Sequence, residues 1–291
     1  MPVLSSAVGQ VIGERTVEIT PRMTMAFAAA IGAVEDEYLD DARDGGIIAP
    51  PPFSVCLEWP IMFDPRCRTV TGTTEDEAWG GLHVQQDSTF HQLIRPGDRL
   101  RTVGRITHMR TTRAGALSVT KLVTTNTATG EPVVTSWLNV IFRGMYVDGA
   151  DRPGDTGSEL KPHGDPPPVP QHSELVLLPR SLPYAYTECA GIWNPIHTER
   201  KVALRKGLPD IIVHGTCTWS VAAMHTLRYA GGDASRMQRF AGRFEAPVIP
   251  GKDIQIDMSR DETNPNAILV AVKNAEGKLA IADGVAEMTA A

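Results

Sequence analysis

The feature that most constrains this chain is an internal repeat. TFHQLIRPGDRLRTVGRI, from Thr89, aligns without gaps on RFEAPVIPGKDIQIDMSR, from Arg243, placing Phe90 on Phe244 and Pro96-Gly97 on Pro250-Gly251. Two copies of one unit must bury like faces against each other or side by side. With 291 residues there is length for a real core in each. Both copies continue in alternating apolar patterns around a Gly turn, ALSVTKLVTTNTATGEPVVTSWLNVIFRG from Ala116 and AILVAVKNAEGKLAIADGVAEM from Ala267, which predicts antiparallel meanders. Ahead of the β portion each copy has a helical pattern, a Gly/Pro-rich turn and a long apolar segment. In the second copy Trp219, Ala222, Ala223 and Leu227 recur at helical spacing, predicting a buried helix. The first-copy counterpart holds Pro60, which shortens or kinks it. The spacing predicts an α+β chain, with a first unit over 1–145 and a second over 175–291. The stretch 146–174 between them, crowded with Pro, Gly and Asp, reads as a linker.

Composition excludes several classes. No apolar run approaches the roughly 18 residues of a spanning helix, and the start MPVLSSAVGQ lacks a basic, then apolar, leader. The four Cys have no ligand or disulfide spacing. A formal charge of −6 without a basic block argues against nucleic acid as a partner. The expectation is a cytoplasmic, disulfide-free protein with neither membrane nor nucleic acid among its partners.

One segment carries chemistry. AYTECAGIWNPIHTERKVALRKGLPDIIVHGTCTWSVAAM, Ala185 to Met224, resembles the MaoC-like, or type 2 (R-specific) enoyl-CoA hydratase, family, whose mark is Gly-Asp-x-Asn-Pro-(Leu/Ile)-His with a later His-Gly. Here that stands as Asn194-Pro195-Ile196-His197 and His214-Gly215, and Phe244 to Ile254 matches the strand that usually follows. The resemblance covers nearly the whole chain, with the first half as the degenerate copy, and implies a double hotdog fold. It also implies water addition to, or removal from, the α,β-bond of an acyl thioester by a His and an Asp, with backbone amides on the thioester oxygen.

The residues agree in part. His197 can serve as base or acid near neutral pH, and the Asn194-Pro195 turn would hold it over a cleft; a bracing structural role is the alternative. Gly215 and Thr216 open the buried helix, where free N–H groups favour a developing oxyanion, although a small-residue helix entrance reads equally well. His214 and Trp193 complete the candidate set, Trp193 as a cover for the acyl chain or as core. The family's Asp, however, falls on Ile192 without gaps or on Gly191 with one, and neither bears a carboxylate. Three explanations stay open: Glu188 reaches in from the same helix face, Glu199 acts nearby though it more plausibly pairs locally, or His197 works alone or the site only binds. Asn194, His197 and Glu188 are therefore the catalytic candidates. In the first half, Tyr38 lies near the position of His197 and no His is present, so that copy is expected to be non-catalytic; IIAPPPF would line the mouth of an acyl tunnel, or the copy only packs against the second. His83 and His91 read as surface or interface residues, and Cys56 and Cys217 as buried inert thiols.

The function expected is a hydro-lyase interconverting 2-enoyl and 3-hydroxyacyl thioesters, without metal or redox cofactor. Coenzyme A enters as part of the substrate, or an acyl carrier protein does. Arg95, Arg243 and Lys252 are candidates for the carrier only by charge. The alternatives are a non-catalytic acyl-thioester-binding protein and a hotdog thioesterase. Monomer and homodimer are both open.

Overall fold

The computed structural model describes residues 2–163 and 169–290, so 164–168, inside the expected linker, lie outside the described residues. Ten strands form one sheet. They are β1 (Val11–Glu18), β2 (Gly81–Phe90), β3 (Arg99–Thr112), β4 (Gly115–Asn126), β5 (Pro132–Arg143), β6 (His172–Leu178), β7 (Met237–Phe244), β8 (Lys252–Arg260), β9 (Ala267–Lys273) and β10 (Leu279–Met288). Their order is β1-β3-β4-β5-β2-β7-β10-β9-β8-β6, every pair antiparallel. Counted inward from each edge, both halves follow the same order, and they meet where β2 pairs with β7. With a helix on each half-sheet, this is the double hotdog.

The repeated Pro-Gly does the same work twice. Gly97 donates its N–H to Ile19 O at 2.8 Å, and Gly251 donates to Leu178 O at 2.6 Å. Both sit at positive φ, +93° and +84°, where a side chain is strained. A β-bulge recurs as well: β2 takes an extra residue between His83 and Gln85 against β5, and β7 takes one between Met237 and Arg239 against β10. Bulges shift the alternation of side chains from one face to the other. At the seam, Arg239 (7% exposed) forks onto fully buried Asp87 at 2.8 and 2.9 Å and reaches Glu287 at 2.6 Å.

The helices are α1 (Pro21–Ala30), α2 (Asp36–Leu39), α3 (Val55–Met62), α4 (Pro65–Thr71), α5 (Glu75–Trp79), α6 (Leu182–Ala190), α7 (Arg200–Arg205) and α8 (Gly215–Tyr229). α8 runs 15 residues across its half-sheet, buried along most of its length. Its counterpart α3, with Pro60 inside, stops after 8 residues, and the chain restarts at Asp64, whose carboxylate caps α4 by accepting from Arg66 N. One core cluster spans both halves, with Phe27 of α1 packed 6.0 Å from Tyr186 of α6 and Trp219 of α8 5.2 Å from Phe240 of β7. Tyr38 of α2 belongs to this core.

The described part of the 146–174 segment is tied down by specific bonds. Val147 bridges Val3, Arg152 bridges Met109, and Asp155 accepts from Trp137 and Lys121. β6 begins at His172, inside the interval assigned to the linker, because residues 172–178 pair along β8.

Candidate active site

Asn194 precedes Pro195 and is extended, as the proline ring requires of its neighbour. Its Oδ1 accepts from Ile196 N at 3.2 Å, capping a single 3-10 turn, Pro195–His197. His197 ends that turn with 9% of its surface exposed. Its Nδ1 lies 2.8 Å from Ile212 O; a carbonyl only accepts, so Nδ1 holds the proton and Nε2 presents a bare lone pair. Burial pulls the His197 pKa down to about 4, with the Ile212 bond acting the other way, so the ring is neutral at physiological pH.

His214 stacks on His197 with ring centroids 3.7 Å apart. Its Nε2 contacts Ile192 O at 3.1 Å and Thr187 Oγ1 at 3.2 Å. These bonds fix the Gly191–Ile192 loop to the start of α8, so His214, though it lines the cavity, braces the site through a nitrogen already committed to the protein. Thr187, a short hydroxyl on the buried face of α6, escaped the sequence reading; its place beside the apolar positions Tyr186 and Ala190 was the available signal. Burial, and His197 beside it, hold the His214 pKa well below the ordinary range.

Gly215 and Thr216 begin α8, whose first turn leaves N–H groups without partners inside the helix and directs its positive end outward. Both line a cavity of about 380 Å³ together with Ile192, Asn194 and His197. A Cβ on Gly215 would sit 3.4 Å from the Phe244 ring, an ordinary contact distance, so that ring packs beside the helix entrance. The first half supplies the opposite wall, from Trp59, Met62 and Phe63 at the end of α3 to His83 on β2 and Val140 on β5.

Several expectations need correction. Glu188 is exposed on α6 and does not line the cavity: Thr187 and Ala190 occupy the inward face, and one residue's rotation turns Glu188 to solvent. Trp193 is 49% exposed and reaches the site only through an edge-on contact with Trp79 at 5.7 Å. Glu199 is exposed and starts α7 through its backbone, with no side-chain cap. The IIAPPPF segment lines a separate cavity of about 200 Å³ through Ala49, Pro50 and Pro51, because it packs beneath its own copy's β2 end at Phe90. His83 belongs to the main cavity's wall. Arg243 and Lys252 are engaged with Asp283 and Glu276, whereas Arg68 and Arg143 line the cavity. Ile192, 3% exposed, lines the cavity with its apolar side chain. Among the described residues one carboxylate borders it, Glu245, exposed at the rim and 3.5 Å from Arg243. Cys217 is buried, and burial pushes its thiol well above the usual range, as it does that of Cys56.

Residues 180–278 match the family described as MaoC like domain, and residues 6–136 match the one described as FAS1-like, dehydratase domain region. The chain is 27% identical over 208 residues to the probable enoyl-CoA hydratase 2 of Dictyostelium discoideum, spanning 70% of this chain and 69% of that protein. It is 23% identical over 304 residues to the 3-hydroxyacyl-thioester dehydratase Y of Mycobacterium tuberculosis, across 100% of both. Its fold is similar to that of a MaoC-like dehydratase from Phytophthora capsici, with a TM-score of 0.84, 19% identity and 98% of each chain covered.

Proposed function

The chain belongs to the MaoC-like hydratase and dehydratase family, and from that premise we propose that it interconverts 2-enoyl and 3-hydroxyacyl thioesters with His197 as its one acid–base group. The observation that carries this reading is the bare Nε2 of His197 in a cavity that also holds the free amides of α8. Nε2 takes a proton from water as its oxygen bonds to C3 of the enoyl group. The π electrons move onto the thioester oxygen, where the Gly215 and Thr216 N–H groups stabilise the charge. The imidazolium then returns the same proton to C2, the carbonyl reforms, and one water has been added. Dehydration is the reverse. Neither direction changes the net oxidation state, so the chemistry calls for no redox cofactor. Asn194 is a positioning residue that caps the turn under His197.

Coenzyme A is the carrier we favour over an acyl carrier protein, with Arg68 and Arg143 the cations at the cavity. Among the described residues no helix is long and apolar enough to cross a membrane, and we place the reaction in the cytoplasm, on a monomer or homodimer.

Ile192 supports a second reading, a thioester-binding protein without turnover. Incubation with crotonyl-CoA and longer 2-enoyl-CoAs separates the two. Loss of the conjugated thioester absorbance, cut about 100-fold or more in His197→Ala, supports the hydratase. Saturable binding without that loss overturns it in favour of the binder, and release of free CoA thiol makes the protein a thioesterase.

A further inference from the structure

The second cavity, of about 200 Å³, stands where the duplication would put a second active site. Residues 213–215 and 244–248 wall the catalytic cavity, and their counterparts 49–51 and 90–94 wall the smaller one. The equivalence rests on bonds as well as on sequence. Just after the Ile-Ile shared by IIAPPPF and IIVHGTC, Ala49 donates its N–H to Ile94 O at 2.8 Å, and Val213 donates to Val248 O at 2.8 Å. The seam strands complete the two-fold pattern. β2 gives His83, near its start, to the catalytic cavity and Phe90, at its end, to the smaller one, while β7 gives Met237 to the smaller and Phe244 to the catalytic.

The chemistry differs between the two. Pro50, Pro51 and Pro52 take the places of His214, Gly215 and Thr216, and a proline has no N–H to offer a thioester oxygen. The loop leading to them, 31–48, holds no histidine. That site therefore has neither a base nor an oxyanion donor, yet it keeps its space. Ala49 is smaller than its counterpart Val213, and the buried prolines leave open the gap that Phe90, Val134 and Met237 enclose. The depth is set by the helices. α8 crosses its half-sheet without a break, so the smaller cavity stops at Ala234 and Met237. The catalytic cavity runs on to Ile106 and Thr120 beneath α3 and α4, where Pro60 interrupts the helix.

Apolar inner walls, an exposed rim at Gln92 and Ser235 and a short depth suit an acyl chain of a few carbons. Resting on the thioester reading above, we infer that this is a second, non-catalytic site holding the short acyl end of a coenzyme A thioester, so that each chain binds two thioesters and turns over one.

The probe is butyryl-CoA, which has no double bond to hydrate, titrated into the full-length protein by calorimetry up to about 1 mM. Two equivalents should bind, the second more weakly by about ten-fold or more because its two amide donors are missing. Ser235→Trp and Gln92→Trp, each placing bulk at the exposed rim, should leave one equivalent, and that retained equivalent shows that the variant is folded. Fewer than two equivalents in the parent protein overturns the inference whether or not the variants fold, and so do two equivalents that survive in both variants. Should a variant bind none, the parent protein crystallised with butyryl-CoA decides: an acyl chain between Phe90 and Met237 supports the site, and none there overturns it. Two equivalents without hydration of any 2-enoyl-CoA keep the second site and fail the hydratase reading; hydration with a single equivalent does the reverse.

Discussion

The acid limb of the pH–rate profile should fall at about pH 4, well below where an ordinary histidine base would put it. His197 is buried, its one charge-favouring contact is the Ile212 carbonyl, and burial takes its pKa to about 4 from 6.5. The difference corresponds to about 3 kcal/mol against the imidazolium. At pH 5 such a ring remains roughly nine-tenths in its base form, whereas an unperturbed one would be only a few per cent so, a ratio of about 30 in kcat/KM. The same shift links to stability. The unfolded chain binds a proton at His197 below 6.5 that the folded chain refuses until about 4, so this contribution is present above pH 6.5 and is lost as pH falls towards 4. His83, lowered to about 3, adds to the acid lability. The assay is therefore initial hydration rate from pH 3.5 to 8, each sample also returned to pH 7 to separate titration from unfolding. A reversible limb near 6.5 would refute the assignment, since it requires a solvated imidazole or a carboxylate beside it, and the structure places neither at Nε2.

Glu58, on the buried face of α3 and bonded to Ser136 at 2.5 Å, is pushed up to about 7 by burial, against its hydrogen bonds. Stability should then fall by about 3 kcal/mol as pH rises from 4.5 through 7, and Glu58→Gln should flatten that slope in urea titrations at pH 5 and 8. Asp87→Ala removes the partner of buried Arg239 across the seam and leaves it with Glu287 of its own half alone, and should lower unfolding free energy by about 3 kcal/mol, measured by denaturant melts. Glu188→Gln should leave kcat and KM unchanged, because the exposed carboxylate touches nothing in the cavity; a rate loss of 100-fold would restore it as the acid.

Local chemistry made much of this protein legible in its sequence. Pro-Gly pairs that demand a left-handed glycine mark equivalent turns in both copies, so the duplication and the antiparallel meanders could be read without coordinates. The Asn194-Pro195 turn fixes His197 through bonds reaching only two or three residues, which is why a motif could announce it. Glu188 was misplaced by the same kind of reasoning: a helix face is set by about 100° per residue, and a count relative to Gly191 and Ile192, which lie beyond the end of α6, does not fix it. Which nitrogen of His197 is free depends on Ile212, 15 residues away, and sequence carries no record of a carbonyl's direction. His83 and Trp59 were beyond reach for a related reason. A bulge in a central strand decides which face His83 takes, and only strands brought together from distant parts of the chain reveal the extra residue. Short-range geometry was written in the sequence, whereas the cavity's opposite wall came into being when β2 of one copy paired with β7 of the other.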